Sequence, residues 1–200
     1  MENQALIFIP DISGFTKFVT DCKIDHSNHI ISNLINIILD SNLLELKVSE
    51  IEGDAVLFYS KGTPPTKEEI IQQSKRMFID FHTNLKAMES NFFCKCGSCT
   101  TASDLTIKFI AHYGVCKEVP IHNSTKLIGS DVVLAHRLLK NNVPENEYIL
   151  LSEKYLKSQQ SKSTIEEDWV DIKSNIENVE DFGGIRTKYI PLAPLKRLIP

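Results

Sequence analysis

The sequence has no apolar run that approaches the roughly 20 residues of a membrane-spanning helix. It also lacks a basic excess, because 22 Lys and Arg face 26 Asp and Glu for a formal net charge of −4, and this argues against general nucleic-acid binding. No basic segment typical of a secretion signal opens the chain, which predicts a cytoplasmic location. Five cysteines, an odd number, do not resemble a secreted disulfide framework.

Length and composition are those of an ordinary globular domain. The 200 residues are 42% hydrophobic and 24% charged, which is enough for a sizeable core. We find no internal repeat and no low-complexity tract. We therefore expect one domain over residues 1–200, with residues from about 190 to 200 as an irregular C-terminal arm.

An acidic residue near the N-terminus lies where a strand should meet a helix. The apolar residues 5–9 predict a buried strand, and residues 13–16, Ser-Gly-Phe-Thr, predict the turn that opens a helix. Asp11 lies between them and can hold a hard cation, while the free N–H groups of Gly14 and Phe15 attract an anion. This combination suits phosphate chemistry, although a carboxylate at such a turn is more often a cap than a metal ligand.

A second carboxylate follows in a predicted hairpin. Residues 44–51 and 55–59 read as two strands joined by a tight turn at Gly53 and Asp54. In one interpretation, these two residues only form the turn of the hairpin. In the other, the hairpin pairs beside the first strand and brings Asp54 close to Asp11, where two carboxylates can hold one or two magnesium ions on a triphosphate.

Four blocks of the sequence resemble the catalytic domains of class III adenylate and guanylate (nucleotidyl) cyclases. Residues 11–16 match the family's Asp-Ile-x-Gly-Phe-Thr motif, and residues 53–54 match its Gly-Asp turn. Residues 105–114 resemble its strand ending in His-x-Gly, and residues 129–138 align without gaps on its Gly-Asp-Thr-Val-Asn-x-Ala-x-Arg-Leu block. The chain is similar to a divergent bacterial branch of that superfamily.

The resemblance implies a fold, a reaction and an assembly. The fold is α+β and ferredoxin-like, with helices packed on a mainly antiparallel sheet. The reaction converts a purine nucleoside triphosphate to the 3′,5′-cyclic monophosphate and releases pyrophosphate. Asp11 and Asp54 would bind Mg²⁺ or Mn²⁺, and Arg137 would stabilise charge on the α-phosphate. The family's active site forms between two subunits, so a homodimer is implied.

The resemblance also implies the residues that contact the nucleotide. They surround the first aspartate or occupy the two positions with which the family reads the purine: Ile12, Ser13, Gly14, Phe15, Thr16, Glu50 and Lys126.

Two departures from the family pattern leave the activity open. Val133 replaces the Asn that contacts the ribose, and losing one such contact commonly costs about 2.7 to 4 kcal/mol of transition-state stabilisation. Glu50 and Lys126 form neither usual purine-reading pair; Glu50 favours guanine, but the two residues can also pair with each other. The alternative to an active cyclase is a catalytically degenerate module for nucleotide sensing, dimerisation or structural zinc binding.

Three cysteines are crowded together outside the matched blocks. Cys94, Cys96 and Cys99 surround a glycine at a spacing that can wrap one Zn²⁺ ion. A fourth ligand is not obvious from the sequence, and Cys116, His112 or His122 serves only if the fold brings it close. The alternative is a reduced thiol loop.

The remaining elements follow from capping signals and periodicity. Thr66 and Glu69 predict a capping box for a helix that continues to about residue 90, and Ser152 predicts the cap of a short helix. His112 is predicted to be a structural residue at a strand end. The other predicted elements are strands over 105–111, 148–151 and 186–192, a strand over 114–119 that returns antiparallel to the first of these, and a helix over 131–141. Residues 169–185 are acidic with few apolar anchors.

Overall fold

The computed structural model describes residues 3–20, 24–91, 102–122, 124–159 and 167–200. The strands in these ranges are β1 Gln4–Ser13, β2 Lys47–Glu52, β3 Ala55–Lys61, β4 Thr106–Val115, β5 Lys117–Ile121, β6 Ser124–Ile128, β7 Tyr148–Ser152, β8 Lys173–Val179 and β9 Gly183–Pro191. The helices are α1 Phe15–Thr20, α2 Ile24–Asp40, α3 Lys67–Asn91, α4 Ser130–Arg137 and α5 Glu153–Ser158, and two 3-10 helices span Ala102–Asp104 and Ala193–Leu198. None of the described helices has the length and hydropathy needed to span a bilayer.

Seven strands form one sheet in the order β2-β3-β1-β4-β7-β9-β8. Neighbouring strands are antiparallel except β4 and β7, which run parallel. β5 and β6 form a separate antiparallel hairpin. The prediction of an α+β fold with helices on a mainly antiparallel sheet is confirmed.

The core lies on both faces of the central strand β1. Leu6 and Phe8 belong to the larger hydrophobic cluster, which includes side chains of α2 and α3. Ala5, Ile7 and Ile9 belong to a second cluster, which includes side chains of α4. Burial on both faces explains the unbroken apolar run before Asp11, and it fixes the strand that carries this carboxylate.

Two predicted helix caps are confirmed. The Thr66 N–H donates to Glu69 Oε2 at 2.7 Å, and the Glu69 N–H donates to Thr66 Oγ1 at 3.3 Å, which together form a capping box at the start of α3. The Tyr155 N–H donates to Ser152 Oγ at 3.2 Å and caps α5.

The prediction of a strand over 114–119 that returns along β4 is wrong. β4 continues to Val115 because it pairs with β1 along its whole length, as far as Val115 opposite Gln4. The chain then enters β5, which pairs with β6 and not with β4. The helix predicted over 131–141 is also shorter, since α4 ends at Arg137.

The C-terminal part of the chain is more regular than the sequence suggests. The acidic stretch 169–185 contains β8, an edge strand whose inward positions include the polar residues Asn175 and Glu177, so its hydrophobic alternation is weak. The expected irregular arm forms a 3-10 helix with a fully buried Leu195.

Candidate functional site

Asp11 and Asp54 are brought together by strand pairing. Asp11 lies opposite Ala55 in the β1–β3 register, and the Ile12 N–H donates to the Asp54 carbonyl at 2.9 Å. Gly53, with φ of +61°, supplies the left-handed conformation that the turn before Asp54 requires. The β2–β3 turn is therefore held against the end of β1.

The two carboxylates influence each other electrostatically. The pKa of Asp54 is raised, chiefly by burial and then by the charge of Asp11, against smaller lowering effects of a backbone hydrogen bond and of Lys108. A neighbouring like charge disfavours ionisation, and a positive charge beside the pair favours it. The arrangement therefore favours a cation next to the two carboxylates.

Lys108 supplies one such cation, and it was not predicted from the sequence. Its register position on β4 is opposite Asp11 on β1, and its Nζ lies 3.2 Å from Asp11 Oδ2. The same amine donates to the Leu139 carbonyl at 3.0 Å. A lysine within the apolar strand predicted over 105–111 is unusual and could have indicated a functional residue. Its partner could not be predicted, because the partner depends on the strand register.

A shallow depression opens beside these charges. Its volume is about 340 Å³, and its lining comprises residues 11–17, Asp54 and Lys108. The segment predicted to contact nucleotide, Ile12 to Thr16, is thus part of the same surface as both aspartates. Gly14 in this segment has φ of +89°, a conformation that side-chain-bearing residues rarely adopt.

The metal donors at this depression are two carboxylates. Asp11 and Asp54 have the hard oxygen ligands that Mg²⁺ and Mn²⁺ accept, and Mg²⁺ is commonly held by one or two carboxylates together with substrate phosphates. Over the described ranges, no group of three or more His, Cys, Asp or Glu side chains is placed to hold a metal ion. The pair fits a divalent cation whose remaining ligands come from phosphate and water.

The predicted purine-reading residues contact each other in the single chain. Lys126 donates to Glu50 Oε2, and His136 Nε2 lies 3.8 Å from Glu50 Oε1. The strands that carry them, β2 and β6, are joined by a hydrogen bond from the Leu127 N–H to Ser49 Oγ at 2.9 Å. The structure therefore places Glu50 and Lys126 side by side, although they are 76 positions apart.

Arg137 and Val133 lie on α4. The guanidinium of Arg137 contacts Glu180 Oε2 at 2.8 Å and Asp181 Oδ2 at 3.5 Å, and within the described ranges no ion pair joins it to Asp11 or Asp54. The Val133 side chain is exposed. In the single chain, Arg137 therefore pairs with the acidic turn between β8 and β9.

Other motif residues build a buried network. His112 is fully buried, with Nδ1 2.7 Å from Ser152 Oγ and Nε2 2.9 Å from Asp131 Oδ1. A Cβ added at Gly114 would lie 2.2 Å from Asp131 Cγ, so only glycine fits there. The His-x-Gly block thus serves to seat α4 on β4, and its histidine has a structural place in this network.

The proposed zinc ligands fall in different parts of the chain. Cys94, Cys96 and Cys99 lie outside the described residues. Cys116 is buried as a free thiol whose pKa is raised chiefly by burial. Both ring nitrogens of His112 already have partners, which argues against His112 as a fourth ligand.

Sequence comparisons identify related chains. A family model described as "Protein of unknown function (DUF2652)" matches residues 31–148. The "Uncharacterized protein Rv2561/Rv2562" of Mycobacterium tuberculosis is 34% identical over 108 residues, which cover 54% of this chain and 50% of that protein. The match therefore spans half the length of this curated relative.

Structural comparisons identify the fold. The adenylyl cyclase CyaB from P. aeruginosa superposes with a TM-score of 0.63 at 15% identity, covering 94% of this chain and 93% of that one. The guanylate cyclase domain of RhGC from Catenaria anguillulae, solved in complex with GTP, gives 0.54 at 14% identity, covering 94% and 96%. The fold is that of class III nucleotidyl cyclase catalytic domains.

Proposed function

The chain belongs to the family described as "Protein of unknown function (DUF2652)", and we propose that it is a cyclase-like domain that binds a purine nucleoside triphosphate with Mg²⁺ or Mn²⁺. The observation that carries the proposal is the convergence of Asp11 and Asp54 at one depression. Both residues come from the blocks that resemble the cyclases. We further propose that residues 1–200 act as one domain.

The metal-binding part of the proposal has an electrostatic basis. Asp11 raises the pKa of Asp54, so the two carboxylates favour a cation between them. A bound Mg²⁺ or Mn²⁺ ion supplies Lewis-acid stabilisation of phosphate and of an attacking hydroxyl. Asp11 and Asp54 hold that ion, and the segment Ile12 to Thr16 lines the surface on which the phosphates rest.

The proposed site is completed by a second copy of the chain. Several large apolar side chains on β2, β6 and α4 are exposed in the single chain: Val48, Ile51, Ile128 and Val133. In a homodimer, Arg137 of one subunit would face the phosphates bound by the other. Its present partners Glu180 and Asp181 are highly exposed, and such ion pairs contribute only about 0 to 1 kcal/mol, so Arg137 can exchange them for a phosphate.

The identity of the base is proposed from the Glu50 and Lys126 pair. Glu50 can accept hydrogen bonds from guanine N1–H and N2–H₂, and Lys126 can donate to guanine O6. We therefore propose a preference for GTP over ATP. The ion pair that these residues form with each other opposes nucleotide binding, because both partners must give up a contact.

A catalytically degenerate nucleotide-binding module is the second candidate, and Val133 favours it. Valine cannot position the ribose by a hydrogen bond, so we expect slow turnover. Val133→Asn restores a polar group at an exposed position. If the protein is an active cyclase, this substitution should raise the rate of cyclic nucleotide formation at least tenfold, because one such contact typically contributes about 2.7 to 4 kcal/mol. If neither wild type nor Val133→Asn forms cyclic nucleotide, the result favours the degenerate module.

Calorimetry tests the binding proposal directly. Non-hydrolysable GTP and ATP analogues are titrated into the wild-type protein with and without Mn²⁺, and into Asp11→Asn with Asp54→Asn. We expect Mn²⁺-dependent binding that the double substitution abolishes. Asp168→Asn, which removes an exposed carboxylate elsewhere, serves as the control and should bind as the wild type does. Equal binding by the double variant would refute the proposed site.

A further inference from the structure

The amine of Lys108 is held against the proposed metal site by two contacts. Its Nζ lies 3.2 Å from Asp11 Oδ2 and donates to the Leu139 carbonyl at 3.0 Å. The side chains of Lys108 and Asp11 are 17% and 14% exposed. Partial burial weakens solvent screening, so this ion pair is stronger than one on an open surface.

The position of Lys108 is set by the backbone. Lys108 on β4 lies opposite Asp11 on β1, within a run of ten paired positions from Gln4 to Ser13. Leu139 follows α4, and its carbonyl accepts a hydrogen bond from the same amine. The ammonium group is therefore tethered beside Asp11, unlike an ion from solution.

The two carboxylates at the depression differ in their contact with positive charge. Asp11 and Asp54 carry two negative charges when ionised, and Lys108 compensates one of them. Over the described ranges no third acidic, histidine or cysteine side chain joins a metal-binding group there. The described residues thus place no cation in contact with Asp54, because Lys17, the other lysine at the depression, forms no ion pair there. One carboxylate is left for a cation from solution, which is too little to attract two divalent ions in the absence of phosphate.

We propose that Lys108 is a built-in cation of the site, which competes with divalent ions for Asp11 and limits the nucleotide-free chain to weak uptake of one ion. This inference rests on the proposed function, since it takes Asp11 and Asp54 as metal ligands. In this role, Lys108 does not contact the substrate and acts through Asp11. It sets the affinity and number of divalent ions through its charge.

Lys17 offers a matched comparison. It lines the same depression, is exposed and, within the described ranges, forms no ion pair with Asp11. Lys17→Met therefore removes the same charge from the same surface without breaking a contact to the carboxylates. Lys108→Met removes the contact at nearly constant side-chain volume, and Lys108→Arg keeps the charge.

The test is a titration of Mn²⁺, followed by electron paramagnetic resonance, into each nucleotide-free protein. We expect Lys108→Met to bind Mn²⁺ at least tenfold more tightly than wild type, equivalent to about 1.4 kcal/mol. Lys108→Arg and Lys17→Met should stay within about threefold of wild type. Mn²⁺ should also raise the melting temperature of Lys108→Met more than that of wild type, which reports on a folded protein independently of activity.

The outcomes separate this inference from the proposed function. Wild-type binding that requires Asp11 and Asp54 but is unchanged or weaker in Lys108→Met overturns the role of Lys108 and leaves the metal site intact. No Mn²⁺ binding by nucleotide-free wild type or Lys108→Met overturns the inference, and the proposed function falls with it if Mn²⁺-dependent binding of the GTP analogue is absent as well. Equal gains in Lys108→Met and Lys17→Met overturn the tethered-cation role, because a general loss of positive charge then explains the effect.

Discussion

Two pairs of residues beside the same sheet, Asp131 with His112 and Asp11 with Asp54, differ in how completely their charges are satisfied. Asp131 accepts hydrogen bonds from Lys154 Nζ at 2.6 Å and the Val115 N–H at 2.7 Å, and it contacts His112. Asp11 and Asp54 line an open depression, where Lys108 pairs with Asp11. The first arrangement is complete without a ligand, whereas in the second no described side chain forms an ion pair with Asp54, and a cation from solution can compensate its charge.

The pKa values of Asp131 and Asp54 are shifted in opposite directions. Burial alone would raise the pKa of Asp131, but hydrogen bonds from His112, Lys154 and the Val115 amide hold it well below its usual range. Burial and Asp11 raise the pKa of Asp54. Both aspartates belong to sequence blocks that resemble the cyclases, so a motif match does not by itself distinguish a structural carboxylate from a metal ligand.

The largest expected effect is that of Asp131→Asn. Removing the charge leaves Lys154 and the buried His112 with a poorer partner, so we expect the free energy of unfolding to fall by roughly 3 kcal/mol. Urea denaturation measures the change, with Asp168→Asn as the exposed control. A loss below about 0.5 kcal/mol would show that the network does not hold α4 on the sheet.

Gly114→Ala probes the same network by volume. The new Cβ would lie 2.2 Å from Asp131 Cγ, so the carboxylate or the strand must move, and overpacking of this kind costs about 1 to 3 kcal/mol. Gly184→Ala is the matched strand control, because its nearest neighbours would be 3.9 Å from the new Cβ. Equal thermal stability of the two variants contradicts the close packing of Gly114 on Asp131.

Acidification should change the contributions of Asp131 and Asp54 to the free energy of unfolding in opposite directions. Asp131, with a lowered pKa, adds stability above its ordinary pKa of 3.8 that is lost as the pH falls. Asp54, with a raised pKa, adds stability when protonated that is lost as the pH rises through its folded-state pKa. Unfolding from pH 7 to pH 3 should therefore show a shallower loss of stability in Asp131→Asn and a steeper loss in Asp54→Asn. Parallel curves for all three proteins would contradict these assignments.

Asp54→Asn should have the smallest effect on stability, and it should be favourable. Removing the charge relieves repulsion by Asp11 at neutral pH, so we expect a gain of roughly a few tenths of a kcal/mol without divalent ions. Adding Mn²⁺ should reverse the order and leave wild type the more stable protein. Thermal unfolding with and without Mn²⁺ measures both; a destabilised variant in metal-free buffer would mean that Asp54 is a structural carboxylate like Asp131.

The resemblance to the cyclases predicted the fold class, and one of two interpretations of the β2–β3 hairpin placed Asp54 close to Asp11, because short motifs at strand ends and turns are local signals. It also predicted that His112 is structural. Lys108 was missed because its role depends on the β1–β4 register, which no local pattern reveals. β8 was missed because the inward positions of this edge strand include Asn175 and Glu177, and polar inward residues obscure the period of a strand.

The central claim is that Asp11 and Asp54 hold a divalent cation for a nucleoside triphosphate. Crystals grown with Mn²⁺ and a GTP analogue, measured for the anomalous scattering of manganese, test this claim most directly. We predict a manganese peak in contact with both carboxylates and with phosphate oxygens, in a dimer. An ordered nucleotide with no manganese at Asp11 and Asp54, or with manganese bound only elsewhere, would contradict the claim.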